Sequence, residues 1–270
     1  MEIPVQLPYV VESVHLHKVL QELVKHVLFF HNQAPGPVDD LMREFQVLDS
    51  EGKPACHGAE SSPVDERRHQ KRRRVTTVER RGLKFVSAVQ AFLRVLQPEM
   101  LNSCGAEEIL LVLGASPTRA RVAFNVQLSN RLVNLETPAE PEDPAASSQK
   151  KSKEANECAR RVIRSLITAG IDAPDVRGPL KLFVLLRAPA SSPFTGDFLP
   201  KRHFLPLWRK GKKKIHPTVI QLLSKTPSCA SSLVQLERDP QVVEGEVNDK
   251  IWYQCKYYVK GLRIRTPDSF

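Results

Sequence analysis

The sequence predicts an α+β protein in which three main helices pack on one face of a largely antiparallel sheet. Three observations lead to this fold class. Strong helical periodicity is confined to the first two-thirds of the chain, runs typical of strands cluster in the last third, and the strict alternation of a parallel sheet is absent. At 270 residues and 41% hydrophobic content, the chain can bury a sizeable core, as one large domain or two small ones.

The N-terminal region predicts a short strand followed by two helices. Ile3, Val5 and Leu7 alternate with other residues up to Pro8, a pattern typical of a strand. Ser13 can cap the first helix, and the segment 32–37 ends it. Pro37 suits the first turn of a shorter second helix. The first helix carries a broad apolar face formed by Leu16, Val19, Leu20, Leu23, Val24, Val27 and Leu28.

A second strong helix and a buried strand follow. Thr76 with Glu79 forms a capping box at the start of a helix that we expect to continue until just before Gly105. The five apolar residues 109–113 predict a strand that is covered on both faces and stopped by Gly114. The apolar face of the helix comprises Phe85, Val86, Val89, Phe92, Leu93, Leu96 and Met100.

The third helix lies around residues 159–168, with Gly170 as its C-cap. Its apolar face comprises Ala159, Val162, Ile163, Leu166 and Ile167, and its other face comprises Arg160, Arg161 and Arg164. The remaining elements are predicted strands: a half-exposed strand around Phe124, Val126 and Leu128, a buried strand at 180–186, a hairpin between 203–208 and 218–223, and a final alternating strand at 251–259.

Two inserts without periodicity, at about 49–75 and 137–153, are predicted to be disordered. The net charge of +10 is concentrated locally. One run comprises Arg67, Arg68, Lys71, Arg72, Arg73 and Arg74, and the other comprises Arg209, Lys210, Lys212, Lys213 and Lys214. The first run is either a nuclear-import signal or a charged surface loop; direct nucleic-acid binding is disfavoured, because no aromatic side chain interleaves with the arginines.

No pattern in the sequence supports catalysis. Neither a P-loop nor a dinucleotide-binding motif occurs, and the adjacent carboxylates Asp39-Asp40 and Glu107-Glu108 diverge on any regular element. The five cysteines are widely spaced and include no C-x-x-C pair. We therefore expect a non-enzymatic protein without cofactors. The absence of a signal peptide pattern and of a long apolar run predicts a soluble intracellular protein without a membrane partner.

Several local strings, in the same order along the chain, resemble the Comet family, the binding proteins of the spindle-checkpoint HORMA protein Mad-two. They are ELVKH at 22–26, RVTT at 74–77, ILLVLG at 109–114, RRVIR at 160–164, and IWYQ at 251–254 with Lys260-Gly261. Together they span almost the whole chain.

The resemblance implies a single HORMA-like domain over residues 1–270, with a seat-belt-like C-terminal region that includes the long connection 224–249. It implies an adaptor that binds the closed form of Mad-two and presents it to a AAA+ ATPase for remodelling, which silences the mitotic checkpoint. The expected location is the nucleus and cytoplasm, with spindle association in mitosis. The alternative function is a basic nuclear protein that binds nucleic acid through arms at 67–74 and 209–214.

By the same resemblance, the partner-binding surface centres on the third helix, with the end of the first helix beside it. The residues at these positions are Arg160, Ile163, Arg164, Ile167, Phe30 and His31. An exposed aliphatic side chain beside arginines is a composition typical of interfaces. Packing of Ile163 against the first helix, and of Phe30 in the core, remain open alternatives.

Overall fold

The computed structural model describes residues 1–51, 76–128, 144–171, 178–194, 196–206, 217–223 and 250–262. Its helices are α1 (Ser13–Phe30), α2 (Val38–Glu51), α3 (Thr77–Val95), α4 (Pro98–Ser103) and α5 (Pro144–Thr168). Its strands are β1 (Glu2–Gln6), β2 (Glu108–Ser116), β3 (Arg119–Leu128), β4 (Lys181–Pro189), β5 (Phe198–Lys201), β6 (Thr218–Leu223), β7 (Lys250–Cys255) and β8 (Val259–Lys260).

These strands form one eight-stranded sheet in the order β1-β6-β3-β2-β4-β7-β5, and β8 pairs with the start of β4. β6 runs parallel to both of its neighbours, whereas the other described pairs are antiparallel. The α+β class is therefore confirmed, and the sheet is mixed.

The hairpin predicted between 203–208 and 218–223 is wrong. β6 lies between β1 and β3, and residues 203–206 form no strand. Two physical reasons account for the difference. Pro206 cannot donate a hydrogen bond to a strand ladder, and β1 buries Ile3 and Val5 on the core face, which gives β6 a partner near the start of the chain.

Helix α1 is the centre of the main core. Its predicted apolar face is confirmed, because each of the seven leucines and valines on it is at most 1% exposed. They belong to one cluster with buried residues of α3, α5 and one face of the sheet, including Leu111, Val126 and Leu186. Complete burial of such a side chain contributes roughly 2 kcal/mol, so this face is a major source of stability.

The opposite face of the sheet carries a second buried cluster. It comprises Leu110, Val112, Ala120, Ala123, Phe183, Leu185 and Trp252, with Phe204 packed against it. Every residue from Ile109 to Leu113 is at most 1% exposed, which confirms that this run is covered on both faces. In the part of the chain that the structure describes, no helix residue belongs to the second cluster, and the apolar faces of the long helices α1, α3 and α5 belong to the first, so these helices lie on one face of the sheet.

The second long helix ends earlier than its apolar pattern predicts. The capping box of Thr76 and Glu79 is confirmed, since the Thr76 hydroxyl accepts from the Glu79 amide at 3.2 Å and the Thr76 amide donates to the Glu79 carboxylate at 2.7 Å. However, α3 stops at Val95 and the short helix α4 begins at Pro98. Proline lacks an amide hydrogen and holds the preceding residue in an extended conformation, so the helix cannot continue through it.

Two strands are longer or more buried than predicted. β2 does not stop at Gly114 but continues to Ser116 through an irregularity in its pairing with β3. A Cβ atom at Gly114 would collide with the carbonyl oxygen of Arg119, so glycine permits this close approach of two backbones. The prediction of a half-exposed strand β3 is also wrong, because residues 122–126 are buried without interruption.

Four further boundaries differ from the predictions. Residues 144–153, assigned to a disordered insert, are the first part of α5, and Lys151 is bound there by Glu12. Residues 49–51 belong to α2; the rest of both inserts lies outside the described residues. The final alternating segment divides into β7 and β8 at residues 256–258. Ser13 is the first residue of α1 rather than its cap, which is Glu12, and Gly170 is confirmed at a positive φ of 59°.

The contact between α2 and α3 provides a test of the packing. Gly82 of α3 lies under the Phe45 ring, and a Cβ atom there would overlap the ring. We expect Gly82→Ala to lower the free energy of unfolding by about 1–3 kcal/mol, although alanine favours helices over glycine by about 1 kcal/mol. Urea denaturation checks this, and the double variant with Phe45→Leu should recover most of the loss. An increase in stability for Gly82→Ala alone would contradict the packing.

None of the helices in the described residues is long and apolar enough to cross a membrane.

Candidate partner-binding groove

Helices α1 and α5 lie side by side and run in the same direction. Lys151 donates to Glu12 at 3.2 Å, and the His15 imidazole lies 3.7 Å from the Glu154 carboxylate. Both pairs have the same separation of 139 residues along the chain. This equal offset indicates that the two helices run in the same direction where these pairs meet.

A shallow groove of about 480 Å³ runs between these two helices. It is lined by Glu22 of α1 and by Asn156, Ala159, Arg160, Ile163, Arg164 and Ile167 of α5. The residues 156, 160, 163 and 167 recur at intervals of three or four, and therefore follow one side of α5. The structure thus brings together all four residues of α5 that the sequence analysis selected.

The two isoleucines have different environments. Ile163 is half-buried and packs against the main core while it also lines the groove. Its role as a partner contact stays a prediction. Ile167 is 64% exposed, the largest exposure among the large hydrophobic side chains that the structure describes. Ile167 is therefore the aliphatic side chain that is most available for contact with a partner.

The charges along the groove are unevenly paired. Glu22 accepts from Lys18 at 2.9 Å and from Lys25 at 3.0 Å, so its carboxylate is already engaged within α1. Arg160 and Arg164 are exposed, and neither forms an ion pair with a carboxylate of the described residues. The groove therefore offers an exposed aliphatic side chain beside two available guanidinium groups.

The end of α1 differs from the prediction in detail. Phe30 is half-buried, with its ring stacked on His26 at 5.4 Å and edge-on to His31 at 5.2 Å. His31, predicted as a partner contact, is only 1% exposed and lies beside Phe124. Its side chain cannot reach a partner in this conformation, because the chain has already turned into the core after the last helical residue.

Phe29 is the exposed aromatic residue at this position, and the sequence analysis missed it. It is 49% exposed and lies seven residues, or two helical turns, beyond Glu22. Residues seven apart share one face of a helix, so Phe29 continues the ridge that Glu22 contributes to the groove. This spacing was visible in the sequence and could have distinguished Phe29 from Phe30.

His31 is buried without a hydrogen-bond partner for either ring nitrogen. Burial, together with the nearby charge of His26, lowers the pKa of His31 from 6.5 to about 4. The side chain therefore stays neutral in the folded protein at pH values where the unfolded chain binds a proton.

This burial predicts a pH dependence of stability. As the pH falls from about 7 towards 4, the unfolded state gains a proton at His31 that the folded state does not accept, so the folded state loses stability. The difference between pKa 6.5 and about 4 corresponds to roughly 3 kcal/mol at full effect. We expect His31→Phe to lose less stability than the wild type between pH 7 and pH 4.5, measured by urea denaturation. Identical losses would contradict the buried neutral histidine.

The described residues provide neither a cluster of metal-ligating side chains nor an activated thiol. They contain no group of three or more metal-ligating side chains. Cys104, Cys158 and Cys255 are buried, and burial raises the pKa of each thiol, to about 11 for Cys158 and Cys255. These thiols are therefore poor nucleophiles. The runs 67–74 and 209–214 lie outside the described residues, so the nuclear-import interpretation of Arg67, Arg68, Lys71, Arg72, Arg73 and Arg74 stays a prediction.

No protein-family model matches this chain, and a search of curated proteins finds no match to it. The assignment to a family therefore depends on the local strings alone.

Proposed function

We propose that this protein is a non-enzymatic adaptor that binds the closed form of Mad-two through the groove between α1 and α5. In this proposal the adaptor presents Mad-two to a AAA+ ATPase for remodelling and so silences the mitotic checkpoint. The observation that carries the proposal is the exposed Ile167 between two helices, with Arg160 and Arg164 beside it. The resemblance to the Comet family supplies the identity of the partner.

The composition of the groove fits a protein–protein contact better than a small-molecule site. Small-molecule sites are concave and enclose most of their ligand, whereas this groove is shallow and bounded by exposed side chains. Interfaces are enriched in aromatic residues and arginine, and a few such residues dominate the binding energy. Ile167 and the two arginines line the groove, and Phe29 is exposed two turns beyond Glu22 on α1, so they form such a set.

A HORMA-like arrangement is part of the proposal. The helix-covered mixed sheet supports it, as does the pairing of β7 and β8 with β4 of the same chain. In this arrangement the C-terminal strands occupy the place that a ligand peptide takes in other HORMA proteins, and strand addition is the mechanism that would fill it. The seat-belt-like segment 224–249 lies outside the described residues, and the nuclear, cytoplasmic and spindle locations are likewise proposals.

Co-purification with closed Mad-two tests this function. The full chain should retain closed Mad-two and bind the open form much more weakly. Because the central contact is the apolar Ile167 and only two arginines flank it, the affinity should fall only modestly between 50 and 300 mM salt. If instead the complex is absent, or if it dissociates steeply with salt in the way that polyelectrolyte contacts do, the proposed function is wrong.

A further inference from the structure

A lysine–tyrosine patch lies where β7 ends and β8 begins. None of its residues lines the groove between α1 and α5. It comprises Lys181 of β4, Lys256, Tyr257 and Tyr258 of the connection, and Lys260 of β8. Lys256, Tyr257, Tyr258 and Lys260 are exposed, and Lys181 is half-buried. The patch is thus a surface feature outside the groove to which the adaptor function is assigned.

The lysines of this patch repel one another. Lys181 and Lys260 are direct partners in the antiparallel register of β4 and β8. Like charges placed opposite each other destabilise a sheet. None of the three lysines forms an ion pair with a carboxylate in the described part of the chain. The arrangement therefore favours an anion that neutralises these charges from outside.

The other end of the same strands shows the contrast. There Arg187 of β4 pairs with Glu108 of β2 at 2.5 Å, and Lys250 of β7 pairs with Glu107 at 2.7 Å. At the patch end, Gly114 of β2 pairs with both Lys181 and Ala120, and Ala120 is flanked by the exposed Arg119 and Arg121. Positive charge at this end is accordingly spread across β3, β4 and β8, and none of the patch lysines is paired with a carboxylate of the described residues.

The two tyrosines have different roles. Tyr258 packs against Phe183 at 5.7 Å, and the Lys181 ammonium lies 4.4 Å from the centre of its ring. This cation–π contact holds both side chains in place. Tyr257 is 42% exposed and has no ring contact with another described residue. Its aromatic face is therefore available for stacking.

We propose that this patch binds single-stranded nucleic acid, with Lys181, Lys256 and Lys260 contacting phosphates and Tyr257 stacking on a base. Cations together with an exposed aromatic ring are the combination that such binding requires. An acidic peptide would use the lysines but would gain nothing from the ring. This activity does not depend on the proposed adaptor function.

Fluorescence anisotropy with a labelled 12-nucleotide oligo(U) RNA and the full chain tests the proposal. Tyr257→Ala should weaken binding by about tenfold and leave the salt dependence unchanged, because stacking carries no charge. The double variant Lys181→Gln, Lys260→Gln removes two phosphate contacts, so the slope of log K against log salt should become less negative by about 1.4. This difference isolates the patch from the basic runs elsewhere in the chain.

Matched controls come from the same chain. Phe29→Ala removes an aromatic side chain of similar exposure, and Lys150→Gln with Lys153→Gln removes two exposed lysines of α5. Both controls should bind the RNA as the wild type does. If Tyr257→Ala alters the melting temperature, photo-crosslinking of the wild type with 4-thiouridine RNA replaces it, and the crosslink should map to residues 256–260.

The proposal is overturned if the patch variants bind RNA like the wild type, or if crosslinks map only to other segments. It is also overturned if RNA affinity is indifferent to Tyr257→Ala while a polyglutamate peptide binds more tightly than the RNA and loses affinity on lysine substitution. That outcome would assign the patch to an acidic protein partner instead.

Discussion

Replacing Ile167 by arginine is expected to weaken binding of closed Mad-two at least 100-fold while the melting temperature stays unchanged. The side chain is 64% exposed, so the folded protein does not depend on its packing, and surface changes of this kind alter stability by about 0.5 kcal/mol or less. In a complex, the new charge would be buried beside Arg160 and Arg164. Loss of a central apolar contact costs about 2–4 kcal/mol, and the added repulsion makes the loss larger.

Val78→Arg is the matched control for this variant. Val78 is 48% exposed on α3 and does not line the groove, so the same change of residue type there should leave the affinity intact. Isothermal titration calorimetry measures the affinity, and differential scanning calorimetry measures the melting temperature. Ile163→Arg is a poorer test, because Ile163 also packs against the core and its loss would reduce stability as well. Equal affinities for the Ile167 and Val78 variants would exclude the groove as the interface.

Gln33→Leu is expected to lower the free energy of unfolding by roughly 4 kcal/mol. Gln33 is fully buried after the end of α1. Its side-chain oxygen accepts from the Leu180 amide at 2.7 Å, and its side-chain nitrogen donates to the His31 carbonyl at 2.9 Å. Each group left buried without a partner costs about 1–3 kcal/mol. Urea denaturation measures the loss.

The position of Gln33 explains why the effect should be global. Its side chain joins the end of α1 to Leu180, just before β4. Its backbone carbonyl, which the substitution leaves in place, accepts from the Leu262 amide at 2.7 Å. The exposed Gln6 provides a control, because Gln6→Leu removes the same amide group at the sheet edge. We expect no loss of stability there. A Gln33→Leu protein as stable as the control would show that these hydrogen bonds contribute little.

Residue patterns within one element correctly predicted which side chains are buried and where one helix begins. The core face of α1, the doubly covered run 109–113 and the capping box at Thr76 are all confirmed, because each depends on spacing within one element. Apolar periodicity gave a wrong helix end at the place where a proline interrupts the helix. The apolar stripe continues from α3 towards Met100, but Pro98 interrupts the backbone hydrogen bonds that would carry the helix on.

Features that depend on distant segments could not be predicted from spacing. β6 pairs with β1 from the opposite end of the chain, and sequence neighbours gave no sign of this parallel register. The groove itself was only half predicted. The residues of α5 were found because they share one helix face, whereas Phe30 was chosen over Phe29 because the seven-residue spacing from Glu22 was overlooked.

Hydrogen–deuterium exchange of the full chain, alone and in complex with closed Mad-two, tests the central claim most directly. We predict slower exchange in the complex for the last two turns of α1 and for residues 156–168 of α5, the two segments that border the groove. The lysine–tyrosine patch at residues 256–260 should exchange at the same rate in both states. Protection confined to other segments, with α1 and α5 unchanged, would contradict the assignment of the groove as the partner-binding site.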